Sequence, residues 1–309
     1  MRNGLITTLV ILLLLIAGGA VIYVTDMFGV RTEFESRTAR IGVQVLEGEV
    51  QNRALKEFTL FGEETITLPL SGRLIDYTPA GYAITSSADT GLWNIESLTT
   101  KKTIASSANS KLWLSASPNG RYVVFAERAA LEVDGTAPEA VAVYDPAQWT
   151  INLVDVATGA VRAEATGSMP RFFEREGSTH ILYLLPNEVR VRVIGTPREF
   201  SLARDVDGLW PAEVSANGKY LALFNMETMS YEIFTFALTD GKIILTPLAP
   251  MPVQVRILAF KGSELYASAW LPEEERAELV VIDLMHPESF TVLSDRPGLE
   301  HVRRIIPAP

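Results

Sequence analysis

The sequence predicts an all-β chain folded as a β-propeller of six four-stranded sheets behind one apolar N-terminal helix. Three observations carry that prediction. The stretch Ser117-Pro118-Asn119-Gly120-Arg121-Tyr122-Val123-Val124-Phe125 sets a tight turn against a β-branched and aromatic run, and it recurs at Ser215-Ala216-Asn217-Gly218-Lys219-Tyr220-Leu221-Ala222-Leu223-Phe224. Self-similarity at a period of about 40 residues is the mark of radially repeated sheets. When the strand-like segments are grouped in fours, one is left over at the end and three at the start, and together they complete a sixth sheet. Five and seven sheets are the alternatives.

The chain begins with Leu5–Val24, twenty uncharged residues that are polar only at Thr7, Thr8 and Tyr23. At ~1.5 Å rise per residue a helix of this length spans a hydrocarbon core of roughly 30 Å. Arg2 precedes it, which places the N-terminus in the cytoplasm and the remainder outside. A cleaved signal peptide is the rival reading, because Gly18 and Ala20 suit a cleavage site. The apolar run continues to Val24, however, which favours a retained single-pass anchor. Residues 25–40 read as a polar tether, and 41–309 as the globular domain.

The strands follow in order. The first set is Arg73–Asp76, Gly81–Ser86, Gly91–Ser97 and Lys101–Ala105, and the second Leu112–Ser115, Tyr122–Glu127, Thr150–Asp155 and Ala160–Ala165. The third is Ser168–Phe173, His180–Leu185, Glu188–Ile194 and Glu199–Ala203. The fourth is Leu209–Val214, Tyr220–Asn225, Tyr231–Ala237 and Lys242–Pro247. The fifth is Val255–Phe260, Glu264–Trp270, Glu278–Asp283 and Phe290–Ser294. Glu300–Ile306 then joins Ile41–Leu46, Ala54–Phe61 and Thr65–Leu70, closing a ring that has no free sheet edge. The pairs Thr158-Gly159 and Asp240-Gly241 suit two-residue hairpins with positive φ.

These turn–strand sentences, with Asn152-Leu153-Val154-Asp155-Val156-Ala157-Thr158-Gly159, resemble the repeat of TolB-type, WD-like β-propellers over nearly everything from Ile41 onward. The resemblance implies partners in the cell envelope and leaves their identity open. Propellers of this kind share first-to-second and third-to-fourth turns on one face, here carrying Arg121, Arg175, Lys219 and Lys261. Ligands usually bind on the other face, which here carries the one long insertion, Ala129–Gln148. Glu132, Asp134, Glu139, Tyr144, Asp145 and Trp149 belong to that insertion or adjoin it. Asp205, Asp207, Glu227, Glu273, Glu274 and Glu275 fall on the same face. Long loops in compact domains are often functional. This acidic set is therefore the candidate partner-binding face, for a basic protein surface.

Composition narrows the function classes. The chain has 309 residues, 48% of them hydrophobic, and a net charge of −10, which disfavours a nucleic-acid backbone as partner. It has no cysteine, so neither disulfides nor a thiolate nucleophile can form. His180, His286 and His301 are widely spaced and match no metal motif, and no nucleophile elbow or nucleotide-binding fingerprint is present. Asp205-Val206-Asp207-Gly208 begins like a calcium loop but has Ala216 where the twelfth-position ligand belongs. Of the five tryptophans, Trp93, Trp113 and Trp270 read as wedges between sheets, and Trp149 and Trp210 lie nearest to loops. No cofactor is expected. The expected function is a membrane-anchored, extracytoplasmic protein-binding scaffold or accessory subunit of an envelope complex. A glycan-acting or other ligand-binding propeller with its site at the central channel is the alternative.

Overall fold

The computed structural model describes residues 39–46, 53–59, 64–70, 72–87, 89–129, 145–186, 188–203, 209–225, 227–248, 251, 254–271, 276–294 and 304–307. The predicted anchor and nearly all of the predicted tether lie outside them. No described helix is long and apolar enough to cross a membrane.

Every predicted strand is found, in the predicted order. β1 (Ala39–Leu46), β2 (Arg53–Thr59) and β3 (Glu64–Pro69) form an antiparallel meander, and the last strand, β24 (Arg304–Pro307), pairs with the outer edge of β1. β4 (Arg73–Tyr77), β5 (Tyr82–Ser86), β6 (Trp93–Ser97) and β7 (Lys102–Ser107) make the second sheet. β8 (Ser110–Ala116), β9 (Tyr122–Arg128), β10 (Thr150–Asp155) and β11 (Ala160–Thr166) make the third. Two further meanders follow: β12 (Ser168–Arg175), β13 (Ser178–Leu184), β14 (Glu188–Val193) and β15 (Glu199–Ala203), then β16 (Leu209–Val214), β17 (Tyr220–Asn225), β18 (Ser230–Thr239) and β19 (Lys242–Pro247). One parallel bridge, Ser201 to Lys242, stitches these two into a single eight-stranded sheet. β20 (Gln254–Lys261), β21 (Glu264–Leu271), β22 (Arg276–Asp283) and β23 (Thr291–Ser294) complete the set.

The second strand of each meander explains the continuous apolar runs in the sequence. Along β9, Val123 and Phe125 pack with Ile84 and Ile95 of the preceding sheet, while Val124 packs with Phe172, Ile181 and Tyr183 of the following one. β13 repeats this: Ile181 and Tyr183 face back, and Leu182 and Leu184 face forward to Leu221, Leu223 and Phe234. In β17, Leu221 and Leu223 face back, whereas Tyr220 and Ala222 meet Leu265, Ala267 and Val280. Successive side chains of a strand point to opposite faces, so a strand sandwiched between two sheets must be apolar at every position.

The Ser-Pro-Asn-Gly turn also has a defined geometry. The Ser117 hydroxyl accepts the Tyr122 N–H (2.9 Å) and donates to the Asn119 side chain (2.8 Å), and the Gly120 N–H bonds the Ser117 carbonyl (2.8 Å). Ser215 treats Tyr220 and Asn217 in the same way, at 2.9 and 2.9 Å. Thr78 and Gly81 form a version one residue shorter, ahead of Tyr82. One turn departs from expectation. Asp240 and Gly241 both have positive φ in a two-residue hairpin, but β10 and β11 are joined by four residues. There the Asp155 carboxylate accepts the Ala157 and Thr158 N–H groups, which widens the turn, and only Gly159 is left-handed.

Gly120 and Gly218 have φ of +70° and +65°, a region that costs other residues roughly 1 kcal/mol. A Cβ on Gly120 would meet nothing within 4 Å, whereas one on Gly218 would lie 2.3 Å from the Phe173 ring. Gly120→Ala should therefore destabilise by about 1 kcal/mol and Gly218→Ala by about 2–4 kcal/mol, because the ring must move in a packed core. Chemical denaturation checks this, and equal losses would contradict the turn geometry.

His180 stacks on that same Phe173 ring (centroids 4.9 Å apart), and its Nδ1 contacts the Ser178 carbonyl at 2.9 Å. Burial chiefly lowers its pKa below 6.5; Arg175 and Arg198 add to this, while the Ser178 carbonyl and Glu176 oppose it. The folded state thus favours neutral His180. Its contribution is complete above pH 6.5 and is lost as pH falls from there through the depressed folded value. Wild-type Tm should fall more than that of His180→Gln between about pH 7.5 and about pH 5.5, and parallel Tm curves would refute the assignment.

Candidate functional site

The first strands of the meanders share an irregularity. In β4, β8, β12, β16 and β20 the pairing with the second strand slips by one residue, resuming at Asp76, Ser115, Arg171, Glu213 and Ile257. Trp113 and Met169, inside the slips of β8 and β12, have φ of 56° and 53°. Such bulges bend a strand and re-aim its side chains. A first strand is paired on one side only, so the polar groups of its other edge need partners.

Neighbouring first strands supply them. The Asp76 carboxylate accepts the Leu114 N–H of β8 (2.9 Å), and the Ser115 hydroxyl accepts the Phe172 N–H of β12 (3.1 Å). Arg171 donates through Nε to the Ala212 carbonyl of β16 (2.9 Å) and through Nη1 to the Pro170 carbonyl (3.0 Å). It also lies 3.6 Å from Glu213 Oε2 in an ion pair whose side chains are 11% and 19% exposed. Asp76, Ser115, Arg171 and Glu213 thus form one tier of polar residues at equivalent register positions. Tyr231 lies within reach of that pair: burial raises its phenol pKa, Arg171 lowers it and Glu213 raises it, so the hydroxyl stays protonated at neutral pH.

At this tier a well of about 390 Å³ is lined by residues from five meanders. Its walls are Pro79, Ala80, Pro118, Ala216, Phe172 and Phe260; Thr78, Ser115 and Ser117 add hydroxyls and Glu213 a carboxylate. Pro79, Ala80, Pro118 and Ala216 are exposed, so the well opens at the first-to-second turns, where the Ser-Pro-Asn-Gly geometry fixes the rim. Around it Arg121 lies over the Tyr122 ring at 5.0 Å and Lys219 over the Tyr220 ring at 4.9 Å. Among the described residues, no three His, Cys, Asp or Glu side chains are grouped to hold a metal ion.

The residues nominated from sequence lie elsewhere. Second-to-third connections sit at the opposite strand ends, where Asp145 caps a single 3-10 turn at Pro146–Gln148 by accepting the Ala147 N–H. Glu227 is exposed in the turn between β17 and β18. Trp149 is a correction: it is 1% exposed, edge-on to Trp113 at 4.8 Å and covered by the Arg128 guanidinium at 4.8 Å, so it is a core wedge and not a contact residue. Trp210 is half-buried against the core of the eight-stranded sheet. Glu132, Asp134, Glu139, Tyr144, Asp205, Asp207, Glu273, Glu274 and Glu275 lie outside the described residues, as do His301 and the calcium-like fragment. No residue lining the well was nominated from sequence, where the alternative reading named only a central channel, although the repeated turn that frames it is the strongest signal in the sequence.

The opposite strand ends also hold a buried cation. Lys111, 1% exposed, contacts the Glu127 carboxylate (2.9 Å), the Asn109 carbonyl (3.2 Å) and the Ser107 hydroxyl, and Asn152 donates to Glu127 (3.1 Å). Burial pushes the Glu127 pKa up, but the Ser107, Lys111 and Asn109 interactions outweigh it and hold the carboxyl below 4.5. Lys111→Met should cost on the order of 3 kcal/mol because it strands a half-buried carboxylate, and adding Glu127→Leu should recover much of that loss. Equilibrium unfolding of the two variants measures both effects; a single variant as stable as wild type would show that the pair does not tie β8 to β9.

No protein-family model matches the chain, and no curated protein matches its sequence. Solved structures do. TolB from Acinetobacter baumannii superposes with a TM-score of 0.57 at 17% identity, over 88% of this chain and 67% of that one. The β-propeller domain of the trilobed protease from Pyrococcus furiosus gives 0.51 at 11% identity, over 83% and 79%. That domain is described as having an open velcro topology, whereas here β24 pairs with β1. An acylaminoacyl peptidase in complex with a chloromethyl ketone gives 0.51 at 11% identity, over 80% of this chain but only 43% of the enzyme. These likenesses establish the fold: the chain is a β-propeller similar to that of TolB.

Proposed function

We propose that the chain is a six-bladed propeller, closed by β24 on β1–β3, that serves as a protein-binding module on the outer side of a membrane, tethered there by Leu5–Val24. The observation that carries this reading is the well. Four first strands, β8, β12, β16 and β20, and the turn after β4 converge on it, and its rim is made of turns whose backbone is fixed by serine, threonine and glycine. A concave site with preset walls, exposed prolines and small residues suits a protruding segment of another protein, since little ordering entropy remains to be lost on binding. Among the described residues its charged lining is a single carboxylate, engaged by Arg171, an arrangement that fits recognition better than acid–base chemistry. The polar run after the apolar stretch would let the propeller reach partners at the membrane surface.

A photo-crosslinking amino acid at Ala80 or Ala216 in the full-length protein should give discrete protein adducts in intact cells, and the same group at Glu227 should not. Ala216→Trp should abolish the Ala80 adduct by filling the mouth. Adducts from Glu227 alone would move recognition to the acidic second-to-third face. A mouth that yields no protein adduct would favour the ligand-binding alternative.

A further inference from the structure

We propose that the β12–β13 hairpin is a proton-operated latch on the mouth of the well: proton uptake by His180 releases it from the turns on either side and lets the mouth open. The latch is a property of the fold, and its effect on binding rests on the reading of the mouth as a protein-binding site.

The hairpin, closed by Glu176 and Gly177, is clamped between two turns of the rim. On one side Asn119 accepts from the Ser117 hydroxyl (2.8 Å) and the Arg121 N–H (3.0 Å), and donates through Nδ2 to the Thr179 hydroxyl (3.0 Å). On the other, the Glu174 N–H bonds the Ala216 carbonyl (2.7 Å), and the Phe173 ring packs directly against Gly218. Pro118 and Ala216 of these same turns line the well, as does Phe172 of the hairpin. A shift of the hairpin is therefore a shift of the mouth.

His180 occupies the centre of this clamp. It follows Thr179, pairs across the strands with Phe173 and stacks on that ring with 15° between the planes, while Phe236 meets the ring edge-on at 5.4 Å. Because Nδ1 faces the Ser178 carbonyl, it carries the proton of the neutral ring, and Nε2 takes up the next one. The imidazolium must then be held at 6% exposure near two guanidinium groups, Arg175 and Arg198, and one carboxylate, Glu176. The other charged groups around the clamp are engaged elsewhere. Glu174 accepts from the Thr179 hydroxyl (3.5 Å), Arg121 pairs with Asp155 (3.7 Å) and Lys219 lies over the Tyr220 ring (4.9 Å). Release of the hairpin hydrates the new charge. Each unit by which burial depresses the pKa raises the open-to-closed ratio up to tenfold on acidification.

The chain has no cysteine, so Ala80→Cys and Ala216→Cys alone place two nitroxide labels across the mouth of the full-length protein in nanodiscs. Pulsed electron spin resonance should give one narrow distance at about pH 7.5, and a longer, broader component should appear at about pH 5. His180→Gln, which keeps a neutral donor for the Ser178 carbonyl, should hold the narrow distance at both pH values. Titration of His180, one of three histidines, is read separately by NMR of histidine-labelled protein. Its midpoint should match that of the distance change, and Arg198→Gln should raise both together. An unchanged distance, a change that persists in His180→Gln, or midpoints that move apart overturns the inference. The titration and Arg198→Gln comparisons keep this test in force even if His180→Gln fails to fold. Distances that lengthen in acid while no protein adduct forms at Ala80 leave the latch standing and remove the protein-binding reading. Adducts without any distance change do the reverse.

Discussion

Most of this structure follows from one constraint: the second strands β9, β13 and β17 are covered on both faces. Val124 has one neighbour to satisfy and Val123 and Phe125 another, and the same division recurs at Ile181 and Leu182 and at Leu221 and Ala222. Each large side chain so buried contributes about 1.5–3 kcal/mol, so the seams between sheets supply much of the cohesion. A one-residue slip would send every such side chain to the wrong neighbour, which fixes register strongly. None of these three strands is covered by its own meander alone; each is completed by the meanders on either side.

That constraint also explains what could be read from the sequence. Doubly buried strands are uninterrupted apolar runs, and runs such as Tyr220–Phe224 behind Asn217-Gly218 are conspicuous, so all twenty-four strands and the two-ended sheet were legible. The tier of Asp76, Ser115, Arg171 and Glu213 was not. Its equivalence depends on where each ladder slips, and the four side chains share no residue type. Lys111 was hidden for a related reason: lysine reads as a surface residue until Glu127 and Asn109 are brought around it. Trp149 was misplaced because nearness to a long insertion in sequence says nothing of the direction in which a side chain points.

The two ends of the molecule therefore differ in kind. At one, short turns built on serine, threonine and glycine hold a shallow receptacle whose dimensions are set before anything binds. At the other, Asp145 caps a brief 3-10 turn and a buried ion pair ties β8 to β9 at the edge of the long insertion. The walls at the first end are set by backbone geometry repeated at Thr78, Ser117 and Ser215, so these turn positions tolerate substitution poorly.

Pairing of β24 with β1 joins the final strand to the first, across more than two hundred residues of intervening chain. Few contacts in a small protein carry so large a loop-closure entropy, and contacts of this separation slow folding. The remaining sheets can assemble progressively as the chain emerges, each on its predecessor, but the first keeps an open edge until the C-terminal residues arrive. Maturation of the propeller is thus a single late event, and the interval before it is when the chain is most exposed to proteolysis and to mispairing with other strands.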